Sequence, residues 1–146
     1  MSYDNYRLKI SDDKDIVFNH LKDKFITKFN LYIFALSLGV KQHKRVALEN
    51  KKSEPISITL FGDNHKKFMD IVVLNETKNI DSLDLNNEEN FKDYFLIIEE
   101  YTNGGLEIMK KIITEHLENG FELLKDKFYS LLSEEIPIEL EEELEW

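Results

Sequence analysis

One apolar segment, Thr27–Val40 (TKFNLYIFALSLGV), limits the folds open to this chain more than any other stretch. As a helix it would have almost no polar stripe, and a helix that is apolar all round must be covered on every side. It is too short to cross a bilayer, which takes about 20 apolar residues. The segment therefore predicts a buried central helix, with Thr27 as N-cap and Gly39 just past its end.

The N-terminal half predicts two further helices around this segment. Ser11, followed by three aspartates within four positions, is a helix-start signal, and an apolar stripe then runs to about Lys24. After Lys41–Pro55, which has no period and predicts a loop, the Gly62-Asp63-Asn64 turn opens a helix to about Glu76. Between this loop and this turn, the alternation over Ile56–Leu60 is typical of a short strand.

The C-terminal half contains the most regular helical stripe, over Phe91–Tyr101. The Asn103-Gly104-Gly105 run predicts a corner at which one helix ends and another begins. Asn119-Gly120 closes that second helix, and a third extends to Pro137. The predicted fold is mainly α, a compact bundle of five or six helices around the buried central helix, and it allows one short β segment near Val46–Leu60. We expect a single helical domain over residues 1–133 and an acidic tail over 134–146.

Composition restricts the classes of function. The 146 residues include no cysteine, which excludes disulfides, thiol catalysis and cysteine-ligated metals. Met1–Ile10 alternates polar and apolar residues without the hydrophobic run of a signal peptide, so a cytoplasmic location is expected.

The net charge of −10 is unevenly distributed. Residues 40–52 carry five Lys or Arg against one Glu, a local charge of +4. This basic segment is the candidate for contact with nucleic-acid phosphates; the alternative is a solvated loop that balances the acidic tail. The overall negative charge opposes long-range attraction to DNA and favours that alternative. The candidate nucleic-acid-binding residues are Lys41, His43, Lys44, Arg45, Lys51 and Lys52.

The acidic end, from Ser133 onward, holds seven Glu and no Lys or Arg. Apolar residues interrupt the glutamates, and a purely solvating tail would not need Trp146, since Trp often anchors interfaces. The tail is therefore a candidate docking segment for a protein partner, through Ile138, Leu140, Leu144 and Trp146.

Enzymatic patterns are weak. The four histidines do not have metal-site spacing, so no metal site or cofactor is expected. Glu49-Asn50-Lys51 matches half of a nuclease carboxylate–lysine motif, but the upstream acid that the metal requires is missing, since Asp23 falls in a predicted helix. Glu99 and Glu100 point about 100° apart on a helix and are interpreted as a solvated flank. We therefore expect a protein that is not an enzyme.

Three stretches together resemble a known family. They are FITKFNLYIFALSLGVKQHKR (Phe25–Arg45), the EPI of Glu54–Ile56, and IIEEYTNGGLEIMKK (Ile97–Lys111), of which EEYTNGGLEIM is the most specific. Their order and separations are similar to those of the DNA phosphorothioation-associated protein 4 family, which is encoded beside Dnd-type DNA sulfur-modification and restriction systems. The long acidic C-terminus departs from simpler members, so no tail function is carried over.

The resemblance implies an accessory component of a bacterial anti-phage defence locus, with no catalytic residues to transfer. The leading hypothesis is a non-enzymatic adaptor that acts through contacts with a protein from the same locus. A DNA-binding or regulatory module that uses the basic segment ranks second, and a small metal-dependent nuclease third. Association with a second copy of the chain, as a homo-oligomer, is a further alternative, and no membrane partner is expected.

Overall fold

The computed structural model describes residues 6–21, 28–49 and 56–116, together with Asp126 and Ser130. These residues form four α-helices and one two-stranded antiparallel sheet. The helices are α1 (Asp15–Leu21), α2 (Lys28–Lys41), α3 (Asp63–Thr77) and α4 (Glu88–His116), and the strands are β1 (Arg7–Leu8) and β2 (Ile56–Ser57). Short 3-10 helices lie at Asp12–Lys14, Ile58–Leu60 and Ile80–Leu83.

The mainly α class is confirmed, but the count of five or six helices is not matched in the described part of the chain. One reason is that two of the predicted helices are a single one. α4 continues for 29 residues through Asn103, Gly104 and Gly105, where the sequence predicted a corner. The predicted helices over 11–24 and 63–76 are present as α1 and α3, whereas the predicted third C-terminal helix lies almost wholly outside the described residues.

Helix α2 is the centre of the fold, as its composition predicts. None of its 14 residues is exposed, because apolar side chains leave it in every direction and other elements cover them. Its main neighbour is α4, which packs along its length. Gly39 lies inside α2, which ends at Lys41, so the predicted end of this helix was too early. The predicted N-cap, Thr27, lies outside the described residues.

The sheet joins residues 6–10, which we call the N-terminal arm, to the chain that follows the basic segment. Arg7 pairs with Ser57 and Leu8 with Ile56, and Ile58 N donates a hydrogen bond to Tyr6 O at 3.1 Å. The β segment predicted near residues 46–60 is therefore present, but its partner is the N-terminal arm and not a neighbouring hairpin strand. Burial of Leu8 and Ile56 fixes the register, because a shift of one strand by one residue would turn its buried side chain to the opposite face.

The described part of the chain contains no helix with both the length and the apolar character needed to cross a membrane.

Candidate functional site

The run Glu99–Glu107 of α4, which lies within the most specific part of the family resemblance (Glu99–Met109), lies against the non-helical segment 42–49 of the chain. Val46 N donates a hydrogen bond to the backbone oxygen of Glu100 at 3.0 Å. Asn103 Nδ2 lies 3.2 Å from both Val46 O and Ala47 O and donates to them. Residues 42–44 donate to backbone oxygens at the end of α2, and the contacts with α4 supply backbone partners for Val46 and Ala47. We call this arrangement of segment 42–49 on α4 the clasp.

Arg45 is the centre of the clasp. Its Nε donates to Glu100 at 2.7 Å and its Nη1 to Glu76 of α3 at 3.0 Å, while the guanidinium carbon lies 6.0 Å from the ring centre of Tyr101. Partial burial disfavours the charged guanidinium, but the hydrogen bonds and charges of Glu100 and Glu76 outweigh it and raise the pKa of Arg45. Arg45 thus joins segment 42–49 to two helices.

The tyrosine of the same run takes part as well. Tyr101 donates its hydroxyl hydrogen to Glu76. Burial and then this hydrogen bond raise the pKa of Tyr101 to about 12. Glu76 therefore accepts from both Arg45 and Tyr101, and the three side chains form one network.

Glu99 is buried, only 4% exposed, which corrects its interpretation as a solvated flank. Its Oε2 accepts hydrogen bonds from Tyr6 Oη at 2.8 Å and from Lys9 N at 2.6 Å. The ring of Tyr6 also stacks on Phe95 at 3.8 Å between centres, so the N-terminal arm is held on α4 by both polar and apolar contacts. Burial and the Glu99 charge raise the pKa values of Tyr6 and Tyr32.

The glycines allow two backbones to approach α4 closely. A Cβ added to Gly105 would lie 1.7 Å from Ala35 O of α2, and one added to Gly104 would lie 1.9 Å from Lys44 O of the clasp. Neither residue has a positive φ, so the predicted left-handed corner is wrong. Because the two glycines lack side chains, α4 makes close backbone contact with α2 at Gly105 and with segment 42–49 at Gly104.

A polar pocket of ≈ 300 Å³ lies beside the clasp, between the Asp12–Lys14 turn, segment 46–49 and α4. Ser11 Oγ lies 2.6 Å from Glu49 O and joins two of these walls. This hydroxyl caps no helix amide, in contrast to the expectation from the helix-start signal. Lys14 is buried at the pocket, and its Nζ lies 3.0 Å from Asp13 Oδ2.

The basic segment is only partly within the described residues. Lys44 forms an ion pair with Glu107 at 3.6 Å, and Arg45 is held as above. Lys41 is half-buried at the end of α2, and His43 is exposed with a φ of 53°. Lys51, Lys52 and the docking candidates Ile138, Leu140, Leu144 and Trp146 lie outside the described residues. DNA binding and tail docking both stay predictions.

The pocket residues were not predicted from the sequence. Lys14 and Asn103 stand in charged and polar runs with no diagnostic spacing, and their neighbours at the pocket come from distant parts of the chain. Among the described residues, no three His, Asp or Glu side chains come together as a group that could hold a metal ion. Of the nuclease-like triplet, Glu49 is placed beside Ser11, whereas Asn50 and Lys51 lie outside the described residues.

Comparison with known proteins gives one family. The model of DNA sulphur modification system-associated protein 4 matches residues 7–143, which confirms the resemblance inferred from the three sequence stretches. No curated protein and no solved structure matches the chain significantly.

Proposed function

Because this chain belongs to the DNA sulphur modification system-associated protein 4 family, we propose that it is a non-enzymatic accessory protein of such a system in bacterial anti-phage defence. It acts by binding a protein partner encoded at the same locus. The match of the family model over residues 7–143 is the observation that carries this proposal.

The charges of the clasp support protein contacts over DNA contacts. Two of the cations that could meet phosphates, Lys44 and Arg45, face Glu107, Glu100 and Glu76 of the same chain. A phosphate would have to compete with these carboxylates for the two side chains. The net charge of −10 also repels a polyanion.

The surface offers apolar side chains to a partner. Ile71 on α3 is 63% exposed and Ile80, just after it, is 72% exposed. Removing such surface from water contributes about 25 cal/mol per Å² to association. The predicted docking residues of the tail, Ile138–Trp146, add a second apolar set next to glutamates.

The test is co-purification of the tagged chain with the other gene products of its locus. We expect capture by the wild-type chain, and weaker capture after deletion of Ile138–Trp146 or in an Ile71→Ser, Ile80→Ser variant. Lys67→Ser, which changes an exposed residue of the same helix, is the matched control and should leave capture unchanged.

A DNA mobility shift at two salt concentrations is run on the same proteins. Lys41→Glu with His43→Glu is the suitable pair of charge changes, because reversing Lys44 or Arg45 would also break the clasp. Salt-sensitive DNA binding that this pair abolishes, with no partner captured by the wild type, would replace the adaptor role by the DNA-binding one.

A further inference from the structure

The polar pocket beside the clasp contains a buried acceptor without a partner. Asn103 is 3% exposed, and its Nδ2 donates to Val46 O and Ala47 O. Its Oδ1 is buried and has no hydrogen-bond partner within the described part of the chain. Exchanging the amide oxygen and nitrogen would not help, because the two backbone carbonyls need a donor. Buried acceptors of this kind are normally satisfied, so Asn103 Oδ1 is a candidate acceptor for a ligand that donates a hydrogen bond.

Two ammonium groups, those of Lys14 and Lys110, also line the pocket. Lys14 Nζ and Lys110 Nζ lie 3.0 and 3.9 Å from the same oxygen, Asp13 Oδ2. Two ammonium groups thus share one carboxylate. The Lys14 side chain is 3% exposed, and an ammonium has three donors, of which Asp13 takes one. A second carboxylate at this point would accept hydrogen bonds from the remaining donors.

A ligand of one sign does not suit both Asn103 Oδ1 and the two lysines. An anion alone would leave Asn103 Oδ1 unpaired and would meet Glu49 and Glu107, which also line the pocket. A cation alone would meet Lys14 and Lys110. A molecule that carries both a donor cation and a carboxylate fits both.

We propose that this pocket binds a small zwitterion of the α-amino-acid class. Its ammonium donates to Asn103 Oδ1, with Glu107 nearby, and its carboxylate is held by Lys14 and Lys110. The pocket volume of ≈ 300 Å³ suits a molecule of this size, at the small end of ligand pockets. Such a ligand would connect the Asp12–Lys14 turn, segment 46–49 and α4.

The first experiment titrates the full chain with each of the twenty standard amino acids, by thermal shift and calorimetry. At a ligand concentration ten times the dissociation constant we expect Tm to rise by about 4 °C. For an amino acid that binds, the N-acetyl form, which lacks the ammonium, and the carboxamide form, which lacks the carboxylate, should each bind at least about tenfold more weakly.

The second experiment uses a pair of matched variants. Lys110→Met removes one ammonium of the pocket from a side chain that is 38% exposed, so folding is preserved. Lys111→Met makes the same change at the next, exposed position of α4. The wild type and Lys111→Met should bind alike, and Lys110→Met at least about tenfold more weakly. No binding by any of the twenty, or equal binding by Lys110→Met, would overturn the proposal. Neither readout involves the protein partner, so failure here leaves the accessory role untouched.

Discussion

At the scale of single residues, a missing Cβ decides how closely the two main helices approach. Gly105 lies against Ala35 O, and Gly39 of α2 lies against Tyr101 O of α4, where an added Cβ would be 1.9 Å from the oxygen. Both helix backbones are therefore in contact at this crossing. A side chain on either face would push the helices apart.

Gly105→Ala is predicted to destabilise the protein. In an open helix interior this change would stabilise by about 1 kcal/mol, because alanine is the better helix former. Here the methyl group would lie 1.7 Å from Ala35 O, a clash with backbone that cannot move aside cheaply. We expect the free energy of unfolding to fall by about 3 kcal/mol, at the upper end for overpacking. Urea denaturation followed by circular dichroism measures it.

Gly62→Ala is the control for this substitution. A Cβ at Gly62 meets nothing within 4 Å, so stability should change by no more than about 0.5 kcal/mol. Equal midpoints for the two variants would show that the close crossing does not exist.

The tyrosines of α4 and its neighbours predict a pH dependence. Tyr6, Tyr32 and Tyr101 have pKa values raised above 10.0, through burial and the nearby carboxylates Glu99 and Glu76. Their contribution to stability is complete below pH 10, where tyrosine ionises in the unfolded chain, and is lost as the pH rises toward their folded pKa values.

Ultraviolet absorbance of tyrosinate, recorded from neutral to alkaline pH, measures this difference. Among the six tyrosines, at least Tyr6, Tyr32 and Tyr101 should ionise later in the folded protein than in the urea-unfolded chain. Tyr101→Phe should remove one of the late groups. If all six ionised near pH 10 in the folded protein, the tyrosine–carboxylate contacts would be wrong.

At the scale of elements, the apolar pattern of the sequence indicates one continuous helix α4, although the glycines predicted a corner. The buried residues Ile98, Thr102, Leu106 and Met109 continue the stripe of Phe91–Tyr101 across the glycines in one helical phase. Gly disfavours a helix by only about 1 kcal/mol, and packing of α4 against α2 overrides it. An unbroken period was therefore the stronger signal at Asn103-Gly104-Gly105, and a corner would have shifted its phase.

Local sequence patterns could not predict the clasp or the pocket. Asn103 and Val46 are 57 positions apart, and Ser11 and Glu49 are 38 apart. Local spacing reports only which residues share a face of one element. The partners of a charged or polar side chain in an irregular segment depend on how separate elements pack, which composition and period leave open.

Arg45→Lys is predicted to weaken the clasp although it keeps the charge. Lysine has no planar fork to donate to Glu100 and Glu76 together, and it stacks less well on Tyr101. With a side chain 32% exposed, each ion pair contributes about 0.5–1 kcal/mol, so we expect a loss of about 1 kcal/mol.

The midpoint of urea denaturation again measures this loss of stability. Lys41→Met is the control, because Lys41 has no ion pair within the described part of the chain, and its midpoint should stay close to that of the wild type. An Arg45→Lys variant as stable as the wild type would mean that the guanidinium contacts with Glu76 and Glu100 contribute nothing.

At the scale of the whole molecule, α2 connects the parts that carry the site. It packs against α4, whose Glu99–Glu107 run binds both the N-terminal arm and segment 42–49. Tyr32, Ala35 and Leu36 have no exposed surface, so they form a contiguous core. Loss of this helix would release the arm, the clasp and the pocket together.

Ala35→Arg is predicted to unfold the whole domain. The substitution places an unpaired charge and a long side chain at a position with no exposure, in the turn of α2 whose backbone oxygen lies against Gly105. Burial of an uncompensated charge costs several kcal/mol, a large share of the roughly 5–15 kcal/mol that stabilises a domain. Ala47→Arg makes the same change at an exposed alanine and should leave the melting curve close to that of the wild type. A cooperative circular-dichroism melt retained by Ala35→Arg, at the temperature of the Ala47→Arg control, would show that α2 is not the buried centre of the fold.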